Sequence, residues 1–169
     1  MIKYLPESAS VVLEEVPDRV TLAVDITNCQ GHCEGCHSPY LRGNFGEELT
    51  PEKIDALIED NFGVNCFLFL GEGADVDALL ELVKHLNAAH PKMEVALYSG
   101  LPHTDERVWD WFDYVKIGPY RRSYGPLNSP TTNQRMYKLK RGAGRESAVD
   151  ITERFWHRGI DPNAASQGI

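Results

Sequence analysis

Three cysteines, Cys29, Cys33 and Cys36, stand within eight residues of the stretch NCQGHCEGCHSPYL. Thiolates at such spacing hold soft metal ions, and their number limits the site they can build. A structural zinc site or an ordinary electron-transfer cluster closes its ligand set with a fourth protein donor, which His32 or His37 can supply here. A site that stops at three leaves a coordination position open, as catalytic metal sites do. A Cys3His zinc site and a three-thiolate iron–sulfur cluster both fit the spacing. Gly31 and Gly35 lie between the cysteines, so the backbone can approach a bound group closely and offer it N–H donors. The fourth cysteine, Cys66, sits inside the apolar run VNCFLFL and reads as a packed core thiol.

The chain that must position this loop has 169 residues, 42% of them hydrophobic and 25% charged. That length suits one domain burying roughly 70% of its unfolded-chain surface. No apolar run approaches a membrane span, and MIKYLPESAS has no apolar core of signal-peptide length, so a cytoplasmic protein with reduced thiols is expected. The net charge of -8 argues against general phosphate-backbone binding, and neither a nucleic-acid nor a membrane partner is expected. Arg121, Arg122 and the later KLKRGAGR read as a solvated basic face.

Hydrophobic patterning predicts strands at 20–26, 64–70, 93–99 and 114–118, with an edge strand at 9–17. Between them, Thr50-Pro51 opens a helix whose Ile54, Leu57 and Ile58 fall on one face. A second helix over 75–88 aligns Val76, Leu79, Leu80, Val83 and Leu86, and a short one over 105–112 turns Val108, Trp111 and Phe112 inward. This βαβαβαβ order predicts an α/β fold with a mostly parallel sheet and helices packed outside it. Four such strands make a partial barrel or open sheet rather than a closed eight-stranded one. Residues 119–140, rich in Pro, Gly, Ser and Arg, read as a long functional or flexible segment outside the core. The domain is expected to span 1–140, with 141–169 as a C-terminal extension of flexible character.

In such sheets ligands bind at the C-terminal ends of the strands. Each unusual motif falls there: the cysteines after 20–26, Gly71-Glu72-Gly73 after 64–70, Tyr98-Ser99-Gly100 ending 93–99, and Gly118-Pro119-Tyr120 ending 114–118. With Cys-x3-Cys-x2-Cys after the first strand and a Gly-Glu turn after the second, the chain resembles the radical S-adenosylmethionine enzymes. CEGCHSP, LYSG, IGPY and above all SPTTNQRMYKL narrow the resemblance to the glycyl-radical activases of anaerobic ribonucleoside-triphosphate reductases, over about residues 10–140.

The resemblance implies a partial (β/α) barrel of the radical S-adenosylmethionine type. It implies that Cys29, Cys33 and Cys36 hold a [4Fe–4S] cluster whose fourth iron binds the amino and carboxylate groups of S-adenosylmethionine. Gly35, Cys36, His37, Gly71, Glu72 and Ser99 would line that cofactor, with His37 near the adenine and backbone of the Gly71-Glu72 turn receiving the methionyl ammonium. The partner would be the large glycyl-radical subunit of the reductase, and the electron would come from an external donor such as flavodoxin or ferredoxin. Hydrogen-atom abstraction needs no general base, so no catalytic residue beyond the cluster ligands is expected. The chain departs from the family twice: Leu70 stands where a second glycine usually precedes Gly71-Glu72, and Ile117 where an acid usually precedes Gly-Pro. Two other readings remain open: a small radical S-adenosylmethionine enzyme acting on a small molecule, such as a deazapurine synthase, and a zinc-stabilised binding module.

Overall fold

The four apolar runs become four adjacent parallel strands in a computed structural model that describes residues 1–31, 36 and 38–156. In chain order the strands are β1 (Lys3–Tyr4), β2 (Ser10–Val12), β3 (Thr21–Asp25), β4 (Glu47–Glu48), β5 (Cys66–Leu70), β6 (Glu94–Tyr98), β7 (Tyr114–Ile117), β8 (Arg135–Lys138) and β9 (Val149–Asp150). The helices are α1 (Pro51–Asp60), α2 (Val76–Ala89), α3 (Val108–Trp111) and α4 (Glu153–Trp156). One mixed sheet runs β2-β3-β5-β6-β7-β8-β9, parallel from β3 to β7 and antiparallel at both flanks. A separate antiparallel pair joins β1 to β4.

The parallel strands follow one another in space as they do in sequence, so each crossover advances the same way. Right-handed crossovers then put all the intervening helices on one face. The packing agrees: Ile54 of α1, Leu79, Val83 and Leu86 of α2 and Val108 of α3 share one core with Leu22, Val24, Phe67, Phe69, Val95, Leu97 and Val115. α1 starts where expected because Thr50 accepts a hydrogen bond from the Lys53 amide at 3.2 Å and Pro51 follows it. Asp75 caps α2 in the same way through the Ala78 amide.

The opposite face carries the second residue of each strand pair. Ala23, Cys66, Leu68, Ala96, Tyr114 and Met136 form a smaller cluster there, covered by Val16 and Phe155 with Leu127 and Trp156.

Three features differ from the sequence reading. α3 is a single turn, and Trp109 rather than Trp111 is its buried tryptophan, because the chain is already extended again at Phe112. The segment 119–140 is not all irregular: its Arg135–Lys138 stretch is β8, paired along the whole of β7, with Met136 fully buried. Residues 141–156 join the same sheet and core rather than trailing from it, since β9 pairs with β8 and Phe155 is buried. Among the described residues no helix is long and apolar enough to cross a membrane.

Candidate functional site at the strand ends

β3 stops at Asp25, and the chain leaves the sheet through Asn28, which takes the left-handed conformation (φ 60°) that asparagine tolerates better than most residues. Asn28 then donates its amide to the Gly43 carbonyl at 2.9 Å, and Cys29 donates its amide to the Leu41 carbonyl at 2.9 Å. The two ends of the cysteine loop are thus tied together directly beyond the strand. Both described thiols are half-buried and free, and each accepts a backbone amide at 3.4 Å, Cys29 from Gly31 and Cys36 from Ser38. Such N–H donors stabilise negative charge on a metal-bound thiolate. Cys33, Gly35 and His37 lie outside the described residues.

The Gly71-Glu72 turn is built onto the same strand end. Gly71 donates its amide to the Tyr98 carbonyl at 2.9 Å and has φ 114°, while Ile26 donates its own to the Leu70 carbonyl at 3.1 Å. It is this positive φ that requires glycine, since a Cβ at position 71 would make only ordinary contact with Ile26, 3.4 Å from its carbonyl oxygen. The turn therefore rests against the residues that lead into Cys29.

Glu72 points into this region. One carboxylate oxygen accepts a hydrogen bond from the Thr104 hydroxyl at 3.4 Å, and the other is buried with no hydrogen-bond partner. Burial pushes the Glu72 carboxyl above its ordinary value, against the opposing pull of hydrogen bonds from Ser99 and Thr104. Ser99 itself is fully buried, and its hydroxyl also accepts the Leu101 amide at 3.1 Å. Of the residues expected at the site, the structure thus gathers Cys29, Cys36, Gly71, Glu72 and Ser99 at the same end of the sheet. Cys66 lies inside β5, fully buried, with its thiol pushed up to about 12 by burial.

No family model, curated protein or solved structure matches the chain. What the site can do thus follows from its own residues. Thiols flanked by amide donors suit a metal or cluster. A buried carboxylate oxygen without a donor is an acceptor that a cationic or hydroxyl-bearing ligand would satisfy, and leaving it unmet costs about 1–3 kcal/mol. The donor set can therefore hold a metal or cluster, with Glu72 placed to receive a ligand that bears an ammonium or hydroxyls.

Sequence reasoning missed a row of polar residues on the face away from the helices. Register sets Asp25, Leu70, Tyr98, Lys116 and Met136 side by side in the last layer of the sheet. Lys116 is only 7% exposed; its ammonium donates to the Gly118 carbonyl at 3.3 Å and lies 5.5 Å from the centre of the Tyr98 ring. Tyr98 donates its hydroxyl to the Glu15 carbonyl. Burial pushes the Asp25 carboxyl upward. Polar residues at alternate positions near the ends of apolar strands are the signal that would have found them.

The IGPY and NQR motifs prove to be one unit. Gly118 has φ 102°, and a Cβ there would come within 3.2 Å of the Gln134 Cα, so the strand end and the 133–135 segment touch through backbone. Gln134 donates its side-chain amide to the Gly118 carbonyl at 3.4 Å, and Asn133 donates its own to the Pro119 carbonyl at 3.0 Å. Arg135 is half-exposed on β8 and lies 3.6 Å from Asp150. A pocket of about 300 Å³ opens beside them, lined by Pro102, Arg121, Tyr124 and Asn133 among others. Ile117 packs toward the helix-side core and does not share a face with Lys116.

Proposed function

We propose that this chain is a radical S-adenosylmethionine activase of an anaerobic ribonucleoside-triphosphate reductase. The observation that carries the reading is the convergence of Cys29 and Cys36 with the Gly71-Glu72 turn and Ser99 at one end of the parallel strands, around a buried Glu72 oxygen that lacks a donor. Parallel strands in unbroken chain order, with the crossover helices α1, α2 and α3 on one face, support the partial-barrel form of the fold.

In this reading Cys29, Cys33 and Cys36 hold a [4Fe–4S] cluster, and Gly35, His37, Gly71, Glu72 and Ser99 line the S-adenosylmethionine. When bound and reduced by flavodoxin or ferredoxin, cluster and cofactor supply a carbon-centred radical able to take a hydrogen atom from a backbone glycine of the reductase. The chain's own contribution is placement. Gly31 and Ser38 amides stabilise the thiolates they touch. Glu72 accepts from the ligand's donors, held in position by Thr104 and Ser99. The 119–135 surface, fixed on Gly118 by Asn133 and Gln134, meets the partner, whose docking closes the site to water.

The test is anaerobic reconstitution followed by two measurements. 5′-Deoxyadenosine should form on reduction, and electron paramagnetic resonance should show a glycyl radical when the cognate reductase is added. Cofactor cleavage that never yields a radical in that reductase moves the chain to the small-molecule enzymes. A colourless protein that binds zinc and neither iron nor sulfide moves it to the binding modules.

A further inference from the structure

A second set of metal-ligating side chains lies on the helix layer, at the opposite end of the sheet from the cysteine loop. Asp55 stands in the middle of α1. His85 is in the penultimate turn of α2, and His90 is the residue that caps it, four positions before β6 begins at Glu94. Both imidazoles aim their Nε2 atoms at the same carboxylate oxygen, with His85 at 2.8 Å and His90 at 2.7 Å from Asp55 Oδ1. The two rings meet edge to face with centroids 6.3 Å apart, and one ligand atom from each of the three residues lies within 4.8 Å of the other two.

We propose that Asp55, His85 and His90 form a binding site for a divalent first-row transition ion of the zinc class, with water completing the coordination. Two neutral imidazoles and one carboxylate are the donors that zinc, cobalt, nickel and copper prefer, whereas magnesium and calcium favour oxygen throughout. Metal–ligand bonds of roughly 2.0–2.2 Å in a tetrahedron place ligand atoms about 3.3–3.6 Å apart. The present Nε2···Oδ1 separations need to open by about 0.5–0.9 Å to reach that spacing. The side chains can make this adjustment, because His85, His90 and Asp55 are 28%, 25% and 44% exposed, which also leaves the ion an entry path and room for water. On binding, each imidazole coordinates through Nε2 as the tautomer that keeps its one proton on Nδ1. Its effect is mechanical: ligands 30 and 35 residues apart clamp α1 to the end of α2. The set contains no sulfur, which separates it chemically from the cysteine loop.

The full chain, with its thiols reduced and oxygen excluded, is titrated with cobalt(II) and followed by absorption. Cobalt on the cysteines produces intense sulfur-to-metal charge transfer, whereas cobalt on His85, His90 and Asp55 produces only weak visible bands. The expected result is a saturable component free of charge transfer, weakened by roughly a hundredfold or more in H85Q/H90Q and in D55N, since even losing a supporting residue costs 10–100-fold. Zinc should raise the melting temperature of a Cys29→Ser/Cys36→Ser chain, and this rise should vanish when H85Q/H90Q is added. These surface variants keep their helical cores, and far-ultraviolet circular dichroism verifies that. A wild-type spectrum with only thiolate-bound cobalt, or a sulfur-free component unchanged in H85Q/H90Q and D55N, overturns the proposal and leaves a hydrogen-bonded trio.

Discussion

The two faces of the central sheet are built from the same strands and differ in almost every respect. Toward the helices stand Leu22 and Val24, Phe67 and Phe69, Val95 and Leu97, and Val115, all fully buried and all aliphatic or aromatic. Away from the helices the same strands present Thr21, Ala23 and Asp25, Cys66 and Leu68, Glu94, Ala96 and Tyr98, then Tyr114 and Lys116. The first face supplies cohesion. The second is smaller and carries the strands' titratable groups. Cohesion is thus concentrated on the helix side by the pleat, one residue apart along each strand, while the cysteine loop, Glu72 and Ser99 lie past the C-terminal ends of the strands.

The sharpest way to break this separation is to damage each side and read both outputs. Cys29→Ala or Cys36→Ala should abolish bound iron and sulfide after anaerobic reconstitution while moving the denaturation midpoint little, since both side chains are only half-buried. Phe69→Ala should do the reverse, costing about 3–5 kcal/mol in a urea titration while the protein that remains folded still takes up a full cluster. If the cysteine variants lose as much stability as Phe69→Ala, the loop is part of the fold's support and the division fails.

A smaller effect is expected where the faces meet. Gly118→Ala forces a side chain into a left-handed conformation against the Gln134 backbone and should destabilise by about 1–3 kcal/mol. It should also loosen the 133–135 segment, which amide hydrogen exchange at 119–135 would report; unchanged protection there would mean that the Gly118 junction does not hold the segment.

Glu72→Gln sharpens the comparison through pH. The Glu72 carboxyl is raised on folding, so its protonated form is the better fit, and the stability linked to it is present below the ordinary carboxylate range and lost as pH rises through the raised value. The glutamine variant should therefore be more stable than wild type at neutral pH, with the gap closing at about pH 4 and below. A gap independent of pH would show that the carboxylate's charge is not what burial opposes. The smallest change is expected from Cys66→Ala, about 1 kcal/mol, with cluster content intact. The wild-type Cys66 thiol should resist iodoacetamide at neutral pH until the protein is unfolded.

The helix-side face was legible in the sequence because its signals are local. Ile54, Leu57 and Ile58 repeat at helical spacing behind Thr50-Pro51, and the continuous apolar runs mark strands buried on both sides. The motifs at the strand ends could be assembled from topology alone, and Gly71, Glu72 and Ser99 do come together. β8 was hidden because a four-residue strand among Pro, Gly and Arg has one inward apolar residue, Met136, to announce it. The place of 141–156 was hidden for the same reason, as Phe155 is its main anchor. Thr104 reaches Glu72 across 32 residues, a contact that no spacing rule contains.

The unbroken order of β3, β5, β6 and β7 also bears on how the chain is made. Each parallel strand pairs with the one synthesised just before it, so no strand must wait for a distant partner. Chains leave the ribosome at about 5–20 residues per second, far more slowly than helices and short loops form. β3, α1 and β5 can therefore assemble while β6 is still unmade, and every later unit adds to an existing edge. The cysteine loop, lying between the first two parallel strands, is anchored at both ends before the rest of the sheet exists.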